Sequence, residues 1–299
     1  MSRSTNRRLV RLLLGVPVAT LLGLAANRPA LGAAPSNWMI AKTAIGLVNA
    51  YTGNGTLTTN AFDVPSTAEI GGRPAGWVSQ PTATYQYYGP KSKTSSFLYA
   101  VDHGKVPSGT VDVIFDIESW SLTTNAEQVN PKKYLSEFVA TAHAHGYKAI
   151  LAPALDLTNA MVPCKNSADP SWSKYLTACS IPTVAAAAHP DVYEIQAQSY
   201  EDGTGAGTGC ACYAWFVDQA AAAASAVVPG LDVRAGLSTN HSGTVSSGAN
   251  LYADTQATLG SVDGYWLNVP SKGTACPSCV PGGAPQVAVS YLELLGYQP

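Results

Sequence analysis

Asp116 and Glu118 stand two residues apart in VDVIFDIESW, Val111 to Trp120, where Val, Ile and Phe mark a strand. Side chains two apart in a strand point to the same face, so the two carboxylates look the same way. Burying ionised groups is costly unless they are paired, hydrogen-bonded or wet. Two carboxyls in one site push each other's pKa values apart, so that one stays protonated while its neighbour keeps its charge. That is the layout of general acid catalysis, with Glu118 as proton donor and Asp116 as its electrostatic partner or the orienter of a nucleophile. A second acid is expected from across the site, above all Asp156 at the end of APALDL. The plainer alternative is that the pair only bridges neighbouring strands through hydrogen bonds.

Other runs deliver uncharged polar groups in the same way. In VYEIQAQSY the apolar set is Tyr193, Ile195 and Ala197, which leaves Glu194, Gln196, Gln198 and Tyr200 on the opposite parity. VRAGLSTN ends in Ser238 and Asn240, and VDGYWLNV puts Trp266 and Asn268 on one face. Amides hydrogen-bond neutral hydroxyls, and Trp120 and Trp266 offer flat apolar faces to sugar rings. Gln196, Gln198, Tyr200, Trp120, Trp266, Asn240 and Asn268 are therefore the expected substrate-binding set, and carbohydrate is the expected ligand.

The elements that must hold these residues alternate in type. Short apolar runs, TYQYY, VDVIFDI, KAILAPALDL, VYEIQAQSY, DVRAGLS and VDGYWLNV, are separated by helical stretches. PKKYLSEFVATAHAHG opens on proline and closes on glycine, and YAWFVDQAAAAASAVVPG stops at Pro-Gly, the usual helix boundaries. Strand, helix, strand at this spacing means crossover units and a parallel sheet. No strand is followed by a dinucleotide-binding glycine fingerprint, which favours a (β/α)8 TIM-like barrel over an open doubly wound sheet. Only six units can be placed, so the barrel is expected to be irregular or incomplete on its N-terminal side, where Trp38 to Gln80 must supply the rest. In such a barrel one parity faces the helices and the other the axis, with function at the C-terminal strand ends. Asp116 and Glu118 come last in their strand, at that end.

Residues 1–33 read as a signal peptide: a basic start, an apolar core too short to span a membrane comfortably, and a small-residue cleavage site. The Arg7-Arg8 pair leaves general secretion and twin-arginine export both open. Residues 34–299 are then one extracellular barrel domain, with no later membrane segment, expected to be monomeric. They retain 12 Lys and Arg against all 19 Asp and Glu, a net charge near −7, which argues against a nucleic-acid partner. Charged residues make up only 12% of the chain, about half the ordinary share of roughly 25%, and a neutral polar surface suits a neutral ligand.

The six cysteines read as disulfides in an exported chain. Cys164 and Cys179 are the most plausible local pair. Cys210 and Cys212 in CAC, and Cys276 and Cys279 in CPSC, close locally or cross-link to each other, with a four-thiolate zinc site as the sharper alternative. His143 and His145, two apart on a helix, do not face one metal, and no cofactor is expected.

The span Gly109 to Pro270, carrying DIESWSLTTNAEQVNP, HGYKAILAPALDL, EIQAQSYE, AGLSTN and VDGYWLNVP, resembles a group of uncharacterised secreted bacterial proteins with a predicted TIM-like barrel. A partial likeness to the chitinase-like barrels of glycoside hydrolase family 18 rests on their D-x-x-D-x-D-x-E strand. Glu118 falls on the acid and Asp116 on the aspartate two before it, while Ile114 and Val111 occupy the other two acidic positions. IQAQSYE resembles that family's later strand, with Tyr200 near its tyrosine. The likeness implies a glycosidase layout without the aspartate on which the family's substrate-assisted mechanism depends. The reading is therefore a secreted glycoside hydrolase-like enzyme on a neutral polysaccharide, with Glu118, Asp116 and Asp156 as its acids. A non-catalytic carbohydrate- or cell-wall-binding barrel is the alternative, and a metal-dependent hydrolase is the third.

Overall fold

The computed structural model describes residues 34–35, 37–62, 97–106, 110–120, 123–201, 213–273 and 276–299. The expected signal peptide 1–33, the expected strand TYQYY and the CAC cysteines lie outside them. Six strands, β1 (Asn37–Met39), β2 (Asp112–Ile117), β3 (Lys148–Pro153), β4 (Val192–Ile195), β5 (Asp232–Ser238) and β8 (Gly264–Asn268), form one parallel sheet in the order β1-β8-β5-β4-β3-β2. Between β5 and β8 lies a small antiparallel hairpin, β6 (Asn240–His241) and β7 (Thr244–Val245). The sheet curls into half a barrel. Full eight-stranded closure is not seen among the described residues, where β1 and β2 stand as the two edges. The expected (β/α)8 barrel, irregular or incomplete on its N-terminal side, is reduced among the described residues to this mixed α/β half-barrel.

Helices α1 (Lys42–Thr52), α2 (Thr56–Ala61) and α3 (Phe97–Asp102) precede β2. Then α4 (Asn125–Val129) and α5 (Pro131–Ala144) lead to β3, α6 (Ser171–Leu176) and α7 (Ile181–Ala186) to β4, and α8 (Tyr213–Val227) to β5. Helix α9 (Gly248–Thr258) leads to β8, and α10 (Pro285–Leu294) closes the chain. The proline of α5 sits in its first turn, and Gly146 just beyond its end takes the left-handed conformation (φ 78°) that ends helices without a Cβ penalty.

The alternation of side chains holds strand by strand. Val113, Phe115 and Ile117, Leu151, Tyr193 and Ile195, Val233, Ala235 and Leu237, and Tyr265 and Leu267 all join the large core between sheet and helices. The opposite parity supplies a second, smaller apolar cluster of Met39, Ile114, Ile150, Ala152, Val192 and Trp266 on the inner face. Above this plug, toward the C-terminal strand ends, the inner face becomes polar.

Two expected strands end sooner than their sequences suggest. After Pro153 the chain turns into a 3-10 helix, Leu155–Asn159, and after Ile195 into another, Gln198–Tyr200. Asp156 thus rides on a turn, and period-2 reasoning no longer applies to Tyr200. Cys164 and Cys179 are disulfide-bonded across 15 residues, and Cys276 bonds Cys279 within CPSC. The second bond selects local closure from the options left open for CPSC, against a cross-link to CAC or a thiolate site for zinc. No helix among the described residues is long and apolar enough to cross a membrane.

Candidate active-site cleft

A cavity of about 420 Å3 opens at the C-terminal ends of β2, β4, β5 and β8. Ile114, Asp116, Glu118 and Trp120 come from β2 and its following loop, and Gln196 and Gln198 from the end of β4. Ser238, Asn240, Trp266 and Asn268 come from β5, the start of the hairpin and β8. Of the ten residues singled out in the sequence, eight line this one space. Asp156 and Tyr200 do not.

The carboxyl groups of Asp116 and Glu118 are hydrogen-bonded to each other. Gln196 Nε2 donates to Asp116 Oδ1 at 2.6 Å and to the Ala152 carbonyl at 3.0 Å, spanning β4 to β2 across β3. Burial is the largest influence on both acids. It pushes Asp116 up to about 7, against the opposing hydrogen bonds from Gln196 and Glu118, with Asp156 adding to the rise. Glu118 is driven well above the usual carboxylate range, first by burial, then by the charge of Asp116. Their contact lowers Asp116 and raises Glu118, and protons on two carboxyls that interact this strongly belong to the pair and not to either residue. Two carboxyls in direct contact are closer than the roughly 5 Å or more that separates the acids flanking a glycosidic bond. They form one proton-holding unit.

Asp156 stands behind that unit. Its Oδ1 accepts from the Ser119 amide at 2.9 Å, which fixes the chain just after Glu118. Its own pKa is raised, chiefly by burial, and its charge reaches both Asp116 and Glu118. Thr123 Oγ1 then accepts from the Glu118 amide (3.4 Å) and from Trp120 Nε1 (2.7 Å). Gln128 Nε2 holds the carbonyls of Trp120 and Thr123. The capping box of α4, Thr124 with Glu127, anchors the far side of this loop.

Glu194 is the fourth carboxyl. It is fully buried on the inner face of β4, with neither oxygen hydrogen-bonded, and burial followed by the charge of Asp116 keeps it well above its ordinary pKa. Its register partner on β5, Arg234, directs its guanidinium to both Asp232 carboxylate oxygens and the Trp38 carbonyl. Gly236 makes room for this arrangement. A Cβ there would lie 2.3 Å from Gln198 Nε2 and 2.5 Å from Glu194 Oε1, so the two side chains extend over β5 only because it is bare.

The remaining predicted residues divide by what they touch. Trp266 is 8% exposed and belongs to the inner apolar cluster, so it is the floor of the cleft and not a rim aromatic. Trp120 is half-buried in the wall. Asn240 is fully buried, its amide held by the carbonyls of Pro270 (2.8 Å) and Gly283 (3.2 Å) and by the Val280 amide (3.0 Å), so it builds the wall by clamping the 270–283 loop. Tyr200, turned by the 3-10 helix, lies in the helix-facing core with its ring centroid 4.8 Å from that of Phe216.

One wall has no counterpart in the sequence reading. His241 and Ser242 of the hairpin and the whole CPSC segment, Cys276 to Cys279, line the cleft. Ser242 (φ 49°) and Gly243 (φ 94°) are both left-handed, as a tight two-residue hairpin turn requires. A Cβ on Gly243 would come within 2.3 Å of the Ser278 carbonyl, so the hairpin and the disulfide loop meet at that glycine. The Ser-Gly turn was the available signal.

Among the described residues, no group of three or more His, Cys, Asp or Glu side chains is arranged to hold a metal ion. No protein-family model matches the chain, and no curated protein matches its sequence.

Proposed function

We propose that this protein is a secreted glycoside hydrolase that acts on a glycan free of negative charge, with Glu118 as general acid. The observation that carries the reading is the Asp116–Glu118 pair, two adjacent carboxyls both raised above their ordinary pKa, in the wall of a cleft whose other polar side chains are amides, hydroxyls and the His241 imidazole. Glu118, raised above the usual carboxylate range by burial and by the charge of Asp116, delivers a proton to the leaving oxygen. Asp116, as hydrogen-bond acceptor, holds the Glu118 proton in place and takes the charge that proton transfer redistributes. Asp156 orients the loop after Glu118 through the Ser119 amide. Trp120 presents a ring face to a sugar, with Gln198 and Asn268 supplying hydrogen bonds. Two disulfides suit an oxidising, extracellular setting.

The test is a screen of the wild type and Glu118→Gln against chitin, chitosan, peptidoglycan, and plant and microbial polysaccharides. Hydrolysis by the wild type with a loss of about 10²–10⁴-fold in Glu118→Gln is the expected result. Undiminished turnover in the variant removes Glu118 from the chemistry. Binding without turnover in the wild type makes the chain a carbohydrate-binding barrel instead.

A further inference from the structure

The two disulfides differ in what surrounds them. Cys164 and Cys179 are 1% and 4% exposed and belong to the large core between sheet and helices, where no thiol from solution reaches them while the chain is folded. Cys276 and Cys279 line the cleft together with Pro277 and Ser278. Their two sulfurs are unequally placed. Cys279 is 2% exposed, while Cys276 is only partly buried and is followed by the exposed Pro277 and Ser278. Exchange depends on which sulfur a thiolate can reach, and here that sulfur is the one of Cys276. Ser278 Oγ lies 3.9 Å from it, a hydroxyl close enough to turn toward a thiolate formed there.

The chain on either side of this bond is pinned independently of it. Asn240 holds the Val280 amide at 3.0 Å and the carbonyls of Pro270 and Gly283. The Lys272 amide donates to the Val280 carbonyl and the Gly282 amide to Ser271 Oγ, both at 3.1 Å. Within these anchors, the segment 276–279 is tied by the disulfide, by the Gly273 amide on the Cys276 carbonyl (3.1 Å), and by the fit of the Ser278 carbonyl against Gly243 of the hairpin. Opening the bond therefore loosens that segment and leaves its anchors in place.

We infer that the Cys276–Cys279 bond is a redox switch on the cleft: a dithiol reductant opens it, the segment 276–279 leaves its seat on the hairpin, and one wall of the cleft is lost. That the wall borders a glycan rests on the reading above, and the switch itself does not. A thiolate of the reductant attacks Cys276 Sγ, the S–S bond breaks, and its electron pair leaves on Cys279 Sγ, which takes up a proton. The second thiol of the reductant then attacks its partner sulfur in the mixed disulfide and expels Cys276 as a thiol. The protein gains two electrons and two protons, and the dithiol becomes a cyclic disulfide. Reversal by a disulfide oxidant restores the wall.

The test equilibrates the native protein at pH 7 with rising ratios of reduced to oxidised dithiothreitol, alkylates it, and quantifies each cysteine peptide by mass spectrometry, with amide hydrogen exchange on the same samples. Cys276 and Cys279 should become alkylated together at a ratio at least about tenfold lower than Cys164 and Cys179. Exchange in 240–245 and 276–280 should quicken about tenfold or more as they do, with β2 and β5 unchanged. Cys276→Ser combined with Cys279→Ser should show the fast exchange without reductant and no further response to it. Reduction of both disulfides at the same ratio, or of Cys164–Cys179 first, overturns the switch, as does opening of Cys276–Cys279 with exchange in the hairpin unchanged. An oligosaccharide from the hydrolysis screen should bind about tenfold more weakly to the reduced protein and to the double variant, and equal affinity overturns control of the cleft. Failure of every glycan to bind the oxidised protein overturns the glycan reading, and alkylation and exchange then decide the switch.

Discussion

Replacing Asp116 by Asn is expected to make the protein more stable and less active at once. The side chain keeps its shape, and its amide oxygen still accepts from Gln196 Nε2, which donates to Asp116 Oδ1 in the native cleft. What disappears is the ionisation. Asp116 is raised from an ordinary 3.8 to about 7, with burial the largest cause. Below pH 3.8 the carboxyl is protonated in both the folded and the unfolded chain and has no net effect. Between 3.8 and 7 the unfolded chain has released the proton and the folded chain has not, so each pH unit lowers stability by about 1.4 kcal/mol. Above 7 both states are ionised and the loss is constant at about 4 kcal/mol. An amide that never ionises removes this term, so Asp116→Asn should gain about 2–4 kcal/mol at pH 8 and little at pH 4. The conversion of roughly 2–4 °C per kcal/mol makes that a rise in melting midpoint of about 4–16 °C. Thermal and urea unfolding of wild type and variant at pH 4, 6 and 8 measures it, and hydrolysis in parallel should fall. A variant less stable than wild type at pH 8, or one whose advantage is the same at all three values, refutes the burial of an ionisable pair on which the site reading depends.

Glu118→Gln should likewise stabilise at neutral pH, because Glu118 too is raised by burial, and the same unfolding series tests the direction. Trp266→Ala should cost about 3–5 kcal/mol by urea unfolding, since the residue fills the apolar floor at 8% exposure; a loss under 1 kcal/mol would mean that the ring stacks only on ligand. Substituting Cys164 and Cys179 together by Ala should lower stability by roughly 3 kcal/mol for a loop of 15 residues. The intact denatured chain should show no free thiol on titration. Reducing the Cys276–Cys279 bond, which closes one wall of the cleft, should weaken oligosaccharide binding more than it lowers the melting midpoint, and a binding constant unchanged by reduction would show that the wall stands without it.

The period-2 pattern of VDVIFDI, DVRAGLS and VDGYWLNV was sufficient to separate the faces of β2, β5 and β8, because a half-buried parallel strand admits only one parity to the helix layer. Asp116, Glu118 and Asn268 follow from that rule alone, as does their position at the functional end. It stopped working where the backbone left the strand conformation. Asp156 and Tyr200 sit on 3-10 turns, and one change of period sends Tyr200 into the helix-facing core while Asp156 bonds the neighbouring strand's loop. Such turns are set by packing and by hydrogen bonds to distant chain, as from Ser119 to Asp156, which no local pattern records. Distance along the chain also concealed the CPSC wall, because Asn240 meets the 270–283 loop about 30 to 43 residues away. Nor could composition reveal that Trp266 is floor and not rim, for that depends on Met39, Ile114 and Ile150 from three other strands filling the same space. Side-chain type and parity determined which groups face the axis. Only the tertiary structure decided which of them share a desolvated cavity, and it is that shared burial, acting on Asp116 and Glu118 together, that turns two ordinary carboxylates into a proton-holding pair.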